Sequence, residues 1–190
     1  VVQNGIVENF LELREELSSE GVEFKSDTDT ETIVHLVEHY LATGLGLEAA
    51  ARKTFQHMRG ANVVVLMSAD EPDKFIAARI GNAGGVVVGY GDGEMFAASD
   101  VPAILEHTRR VVFLESRQMA VITSAGARIE TIEGAPVDVE IHTVSWDPVA
   151  AEKGEYRHFM QKEIHEQVRA LTDTLAGRVD FQEGRIRLPE

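Results

Sequence analysis

Hydrophobic periodicity changes near residue 60 of this chain, and that change limits the fold more than any other feature. Before it, apolar side chains recur at helical spacing. Phe10, Leu13 and Leu17 share one face of a first helix, flanked by Leu11, and Gly21 supplies a stop. Arg14 falls on the same face, where its stem is expected to run out to water. Residues 22–25 form a strand candidate. Thr28 and Glu31 stand three apart as a capping box. The helix they open carries Ile33, Val34, Leu36, Val37, Tyr40 and Leu41 on one face and ends at Gly44. A third helix spans residues 47–59 and ends at Gly60.

After that point the apolar runs are short and punctuated by turns. Strands are predicted over 62–67, 75–80, 86–90, 95–98, 110–114, 119–123, 128–132 and 137–144. Residues 70–73 and 124–126 read as turns. A short helix is predicted over 101–107, with Asp100 as its cap and Pro102 just inside it. Helices first and strands afterwards predict an α+β fold with largely antiparallel sheets, not alternating βαβ units. The polar stretch 147–154 reads as a hinge, followed by a long helix over 156–176 closed by Gly177 and a small end over 179–188. Two parts are expected: 1–150 as the main domain and 151–190 as hinge and linker helix.

A length of 190 residues with 44% hydrophobic content suits one domain, or one domain with an appendage. No run reaches the roughly 18 apolar residues of a membrane span, and the start shows no signal-peptide pattern. The net charge of −14 makes nucleic acid a poor partner. The chain has no cysteine. Disulfides, zinc–thiolate sites and a thiol nucleophile are therefore excluded within it, and a cytoplasmic location is compatible with that composition.

Two stretches among the first thirty residues place polar groups where a small ligand could use them. Asn4-Gly5 is a strong tight-turn signal. The same pair also offers a side-chain amide beside a backbone N–H, able to donate to a developing oxyanion. Asp29, in Ser26-Asp27-Thr28-Asp29-Thr30-Glu31, is either a first-turn carboxylate favoured by the helix dipole or a carboxylate that pairs with the ammonium of a bound amino acid. Thr28 and Thr30 can hold this loop through local hydroxyl bonds. His35-Leu36-Val37-Glu38-His39 matches an inverted zinc-protease pattern, but it has no identifiable third ligand, and a solvated helix face accounts for it. Gly89-Tyr90-Gly91-Asp92-Gly93 lacks the spacing of a dinucleotide loop and reads as a hairpin.

These stretches, with Ala97-Ala98-Ser99-Asp100 and the string from Glu152 to Gln167, resemble the class II (N-terminal-nucleophile) glutamine amidotransferases. The likeness is strongest to the glutaminase domain of the glutamine–fructose-6-phosphate aminotransferase (isomerizing), or glucosamine-6-phosphate synthase, family. It runs from Val1 to about Gly177. The related amidophosphoribosyltransferases share the Asn-Gly and Asp signals but not the 152–167 string. Three departures stand out: Gln3 where the family usually has His, Gly81-Asn82-Ala83-Gly84-Gly85 where it often has Gly-Ser-Pro-Leu, and Val168 where it commonly has Pro.

The resemblance implies part of an αββα N-terminal-nucleophile hydrolase sandwich. It implies that Asn4 and Gly5 form the oxyanion hole and that Asp29 binds the α-amino group of L-glutamine. A terminal cysteine thiolate attacks the glutamine amide in that family, its own α-amine acts as base, and ammonia passes to a sugar domain. No metal or organic cofactor is implied. The cysteine and an arginine-containing loop are expected ahead of Val1, and fructose 6-phosphate is met only through domains beyond Glu190. The full-length protein is expected to be a homodimer. The chain alone is expected to be an inactive glutaminase fragment with an uncovered sheet edge or apolar face. A non-catalytic glutamine-binding or regulatory module is the alternative.

Overall fold

The computed structural model describes residues 1–145, 154–180 and 184–186. The chain forms two compact units, Val1–Ser145 and Trp146–Glu190.

The first unit opens with strand β1 (Val2–Gly5), followed by helices α1 (Phe10–Ser19), α2 (Asp29–Ala42) and α3 (Leu47–His57). Seven strands come next: β2 (Asn62–Met67), β3 (Lys74–Ile80), β4 (Val87–Tyr90), β5 (Met95–Ala98), β6 (Arg110–Phe113), β7 (Gln118–Thr123) and β8 (Gly126–Thr131). The two-residue strand β9 (His142–Thr143) ends the unit. One sheet runs β1-β2-β3-β7-β8 and the other β5-β4-β6-β9, and every pairing is antiparallel.

Strand alternation sorts the core into layers. Val64, Leu66, Ile76, Ala78, Ile80, Met119 and Val121 pack with α1, α2 and α3 through Leu13, Leu17, Ile33, Leu36, Leu47 and Phe55. Ala77, Ala120 and Ile122, which alternate with them along β3 and β7, and Ile129 of β8 join Val86, Val88, Val112 and Leu114 between the two sheets. On the outer face of the four-stranded sheet, Val87 and Val111 are covered by Val101, Ile104 and Leu105, from a 3-10 turn (Val101–Ala103) and the residues after it. The order of layers is helices, sheet, sheet, short cover. This is the expected α+β fold with antiparallel sheets.

Several local expectations are corrected. Residues 22–25 form no strand. Val22 and Phe24 pack on the core, but the Lys25 N–H goes to the Glu31 carboxylate instead of a neighbouring strand. Arg14 stacks its guanidinium 4.4 Å from the centre of the Phe24 ring. Thr28 is the N-cap of α2 without a side-chain capping bond, because Glu31 reaches past it to residues 25 and 26. The helix over 101–107 shortens to the 3-10 turn, although Asp100 does cap it, accepting from the Val101 N–H at 2.8 Å. Of the strand over 137–144 only His142–Thr143 forms. Residues 89–93 do lie in the β4–β5 hairpin, where the Gly91 N–H bonds the Glu94 carbonyl at 3.0 Å.

In the second unit, α4 (Phe159–Leu175) is followed by a pair of two-residue strands, β10 (Val179–Asp180) and β11 (Arg185–Ile186). The hinge expected over 147–154 lies, except for Gly154, outside the described residues.

Candidate functional site

β1 is an edge strand, and Asn4-Gly5 ends it. The pair does not make a hairpin. Asn4 stands opposite Val63 and Gly5 opposite Asn62 on β2. Gly5 has φ +118°, and a Cβ there would meet the Ala61 carbonyl oxygen at 2.2 Å. Only glycine combines that backbone angle with that approach.

Alternation sends Gln3 and Asn4 to opposite sides of β1. Asn4 is exposed on the inter-sheet side. There, with Val63, Val65, Val86, Ala97 and Ser99, it lines a cavity of about 250 Å³. Gly84 lies beside Asn4: a Cβ on that residue would stand 3.7 Å from Asn4 Nδ2.

Gln3 turns to the helix side and meets the start of α2. Its Nε2 donates to Asn62 Oδ1 at 2.8 Å and lies 3.5 Å from Asp29 Oδ2. The Thr30 hydroxyl donates to Gln3 Oε1 at 2.6 Å. The half-buried Asp29 carboxylate accepts from the Val7 N–H at 2.8 Å through Oδ2, and its Oδ1 has no partner among the described residues. Asp29 and the Asn4-Gly5 pair therefore flank one strand, joined through Gln3 and Val7. Thr30 contributes through this long-range bond, and Thr28 through a 3.0 Å contact with the Ser26 hydroxyl.

Glu31 ties down the loop before Asp29. Its carboxylate accepts from the Lys25 and Ser26 N–H groups, each at 2.7 Å, and from the Ser26 hydroxyl at 2.5 Å. Those donors, the Ser26 hydroxyl first and the Lys25 amide next, lower the Glu31 carboxyl to about 2. The loop's shape is thus set before any ligand arrives.

The histidines of α2 serve separate carboxylates. His35 sits 3.0 Å from Glu38 and 3.4 Å from Glu31, edge-on to Phe24. His39 lies 2.7 Å from Glu20. No three metal-ligating side chains gather among the described residues. A separate apolar cavity of about 470 Å³, bordered by Val2, Met67, Phe75 and Met95, includes none of Asn4, Gly5 and Asp29. Sequence reasoning missed Asn62 and the linking role of Gln3. The available signal was that Gln3 directly precedes Asn4. Among the described residues no helix is long and apolar enough to cross a membrane.

Comparison with known proteins bears on this geometry. Residues 1–106 match the glutamine amidotransferase domain family. The glutamine–fructose-6-phosphate aminotransferase (isomerizing) of Methanothermobacter thermautotrophicus is 49% identical over 175 residues, covering 92% of this chain and 29% of the relative. The protein of the same name from Symbiobacterium thermophilum is 45% identical over 190 residues, covering 100% of this chain and 30% of the relative. The chain thus spans less than a third of the length of these curated relatives. A solved glutamine phosphoribosylpyrophosphate amidotransferase from B. subtilis, complexed with ADP and GMP, superposes with a TM-score of 0.59 at 22% identity, over 69% of this chain and 28% of that one. That likeness concerns the fold alone. With more than half of its residues matched by the family, this chain belongs to the glutamine amidotransferase domain family.

Proposed function

We propose that this chain is the glutamine-binding part of an amidotransferase that makes glucosamine 6-phosphate from glutamine and fructose 6-phosphate. The observation that carries this reading is the pairing of Asp29 with the Asn4-Gly5 strand through the Val7 N–H and Gln3. In this reading Asp29 receives the α-ammonium of L-glutamine, a charge-assisted contact with a carboxylate already oriented by the backbone. A thiolate attacks the carboxamide carbon, and the oxygen becomes an oxyanion. The Asn4 side-chain amide and the Gly5 N–H stabilise it. Its collapse, with the proton given up by the thiol delivered to the leaving nitrogen, expels ammonia and leaves a thioester, which water hydrolyses to glutamate and the free thiol. The thiol comes from outside these 190 residues, because they contain no cysteine. Residues 1–150 are the glutaminase portion and 151–190 the linker toward the sugar-phosphate part, which alone meets fructose 6-phosphate.

Titration calorimetry with L-glutamine tests the binding role. Asp29→Asn is expected to weaken affinity at least about tenfold, the loss of a hydrogen bond to a charged group. Asn4→Ala is expected to change affinity less than about twofold, because the oxyanion exists only during reaction. Unchanged affinity in a folded Asp29→Asn variant rejects the assignment. A second reading is a non-catalytic glutamine-binding module. Asp29-dependent binding without turnover, persisting when a thiol-bearing partner segment is supplied, would select it.

A further inference from the structure

The polar side chains on the helix side of β1 form a single directed path. The Thr30 hydroxyl donates to Gln3 Oε1 at 2.6 Å. The amide's orientation is set by its acceptor-only partners: Nε2 faces Asn62 Oδ1 at 2.8 Å and Asp29 Oδ2 at 3.5 Å, which leaves Oε1 to the hydroxyl. Asn62 is oriented in turn, since its Nδ2 donates to the Ile6 carbonyl at 3.0 Å. Asn62 is fully buried. A buried amide with both ends bonded has one low-energy orientation and transmits it to its neighbours. Gln3 is the member of this path next to Asn4 in sequence and also the one that reaches Asp29.

We propose that Gln3 is a positioning residue of the glutamine site. Its amide holds the Asp29 carboxylate against β1, so that ammonium recognition and oxyanion donation keep a fixed separation across one strand. The proposal rests on the reading of Asp29 given above. Gln3 touches neither reacting atom and acts through Asp29. The carboxylate has one further anchor, the Val7 N–H at 2.8 Å. Without the Gln3 donor the carboxylate can swing about that single bond.

Gln3→Met keeps the length of the side chain and removes its polar end. In the full chain it is expected to speed hydrogen exchange of the Val7 amide about tenfold, because the acceptor of that bond is no longer held. Amides of β2 and β3 are expected to keep their rates. By calorimetry, Gln3→Met is expected to weaken L-glutamine binding about tenfold in the natural background and to have no effect in the Asp29→Asn background. Thr30→Val, which frees the amide without removing it, gives about a threefold loss and serves if Gln3→Met does not fold. Two results overturn the proposal: Val7 exchange unchanged in the folded variants, or losses that add in the double variant. Affinity indifferent to Asp29→Asn, or no binding at all, defeats the Asp29 reading instead. Val7 exchange then still decides whether Gln3 holds the carboxylate.

Discussion

Helices α2 and α4 carry the same kind of apolar stripe and meet different fates. On α2 the stripe lies on the five-stranded sheet, and Thr32, Ile33, Leu36 and Val37 are buried. On α4, Met160, Ile164, Val168, Leu171 and Leu175 recur at spacings of three and four, yet no residue of that helix is buried. An amphipathic pattern states that a face favours a partner; it does not say where the partner is. The ends differ as well. Glu31 in the first turn of α2 binds the preceding loop, whereas the first turn of α4 has no acidic residue. Among the described residues, packing and local wiring thus hold α2 more than α4.

The largest test of this contrast is truncation of one apolar side chain on each helix. Leu36→Ala leaves a cavity under α2 and is expected to cost about 3 kcal/mol in urea unfolding. Val168→Ala on α4 is expected to change stability by less than about 0.5 kcal/mol. Equal losses would break the comparison.

Next comes the charge cluster beneath α3. The nearly buried Glu130 carboxylate pairs with Arg52 of α3 and with Arg128. Arg128 continues to Glu48 at 2.5 Å, and Lys74 bridges Glu48 at 3.4 Å and Glu71 at 2.7 Å. Glu71 in turn accepts from the Leu47 N–H at the start of α3. Removing one partner of a buried pair strands the other charge. With Arg128 still present, Arg52→Ala is expected to cost about 2 kcal/mol, below the usual loss for a buried pair. A loss under about 0.5 kcal/mol, typical of exposed pairs, would show that Glu130 is solvated.

Much of the sandwich was legible because its signals are local. The strand over 62–67 appears as Asn62–Met67, and the three early helices fall where their stripes lie. Readings failed where a long-range partner decided the outcome. Residues 22–25 have strand-like composition, but the Glu31 carboxylate took the Lys25 donor. Asn4-Gly5 has hairpin composition, but it pairs with β2 across some sixty residues of sequence. The site shows the same division. Asn4, Gly5 and Asp29 stand out in the sequence as candidates. The link through Gln3 was not, because Asn62 and Thr30 lie 59 and 27 positions away.

Acid sharpens the contrast at the helix entries. The Glu31 carboxyl is lowered to about 2 from an ordinary value of 4.5. A lowered carboxyl contributes stability that is complete above the unfolded value and is lost as pH falls through the folded one. The loop before α2 is therefore expected to loosen between pH 4.5 and about 2. The Lys25 and Ser26 amide signals should shift across that window in NMR spectra, and Glu31→Gln should abolish the transition. Shifts centred near 4.5 instead would mean that the donors do not hold the carboxylate.

The smallest effect belongs to α4, where local terms are least masked by packing. Two ion pairs on it, Lys162–Glu166 and Arg169–Asp173, both run basic to acidic along the helix. The opposite order suits the dipole better, since a carboxylate is favoured toward the N-terminus and a cation toward the C-terminus. Exchanging one pair, with Arg169→Asp and Asp173→Arg, keeps composition and net charge. It is expected to stabilise α4 by about 0.3 kcal/mol, visible as a small rise in helical circular dichroism at low salt that fades at high salt. A helix held mainly by packing, as α2 is, would mute that gain. If the exchange leaves the spectrum unchanged at low salt, α4 is held by more than its own turns, and its apolar stripe is covered in solution.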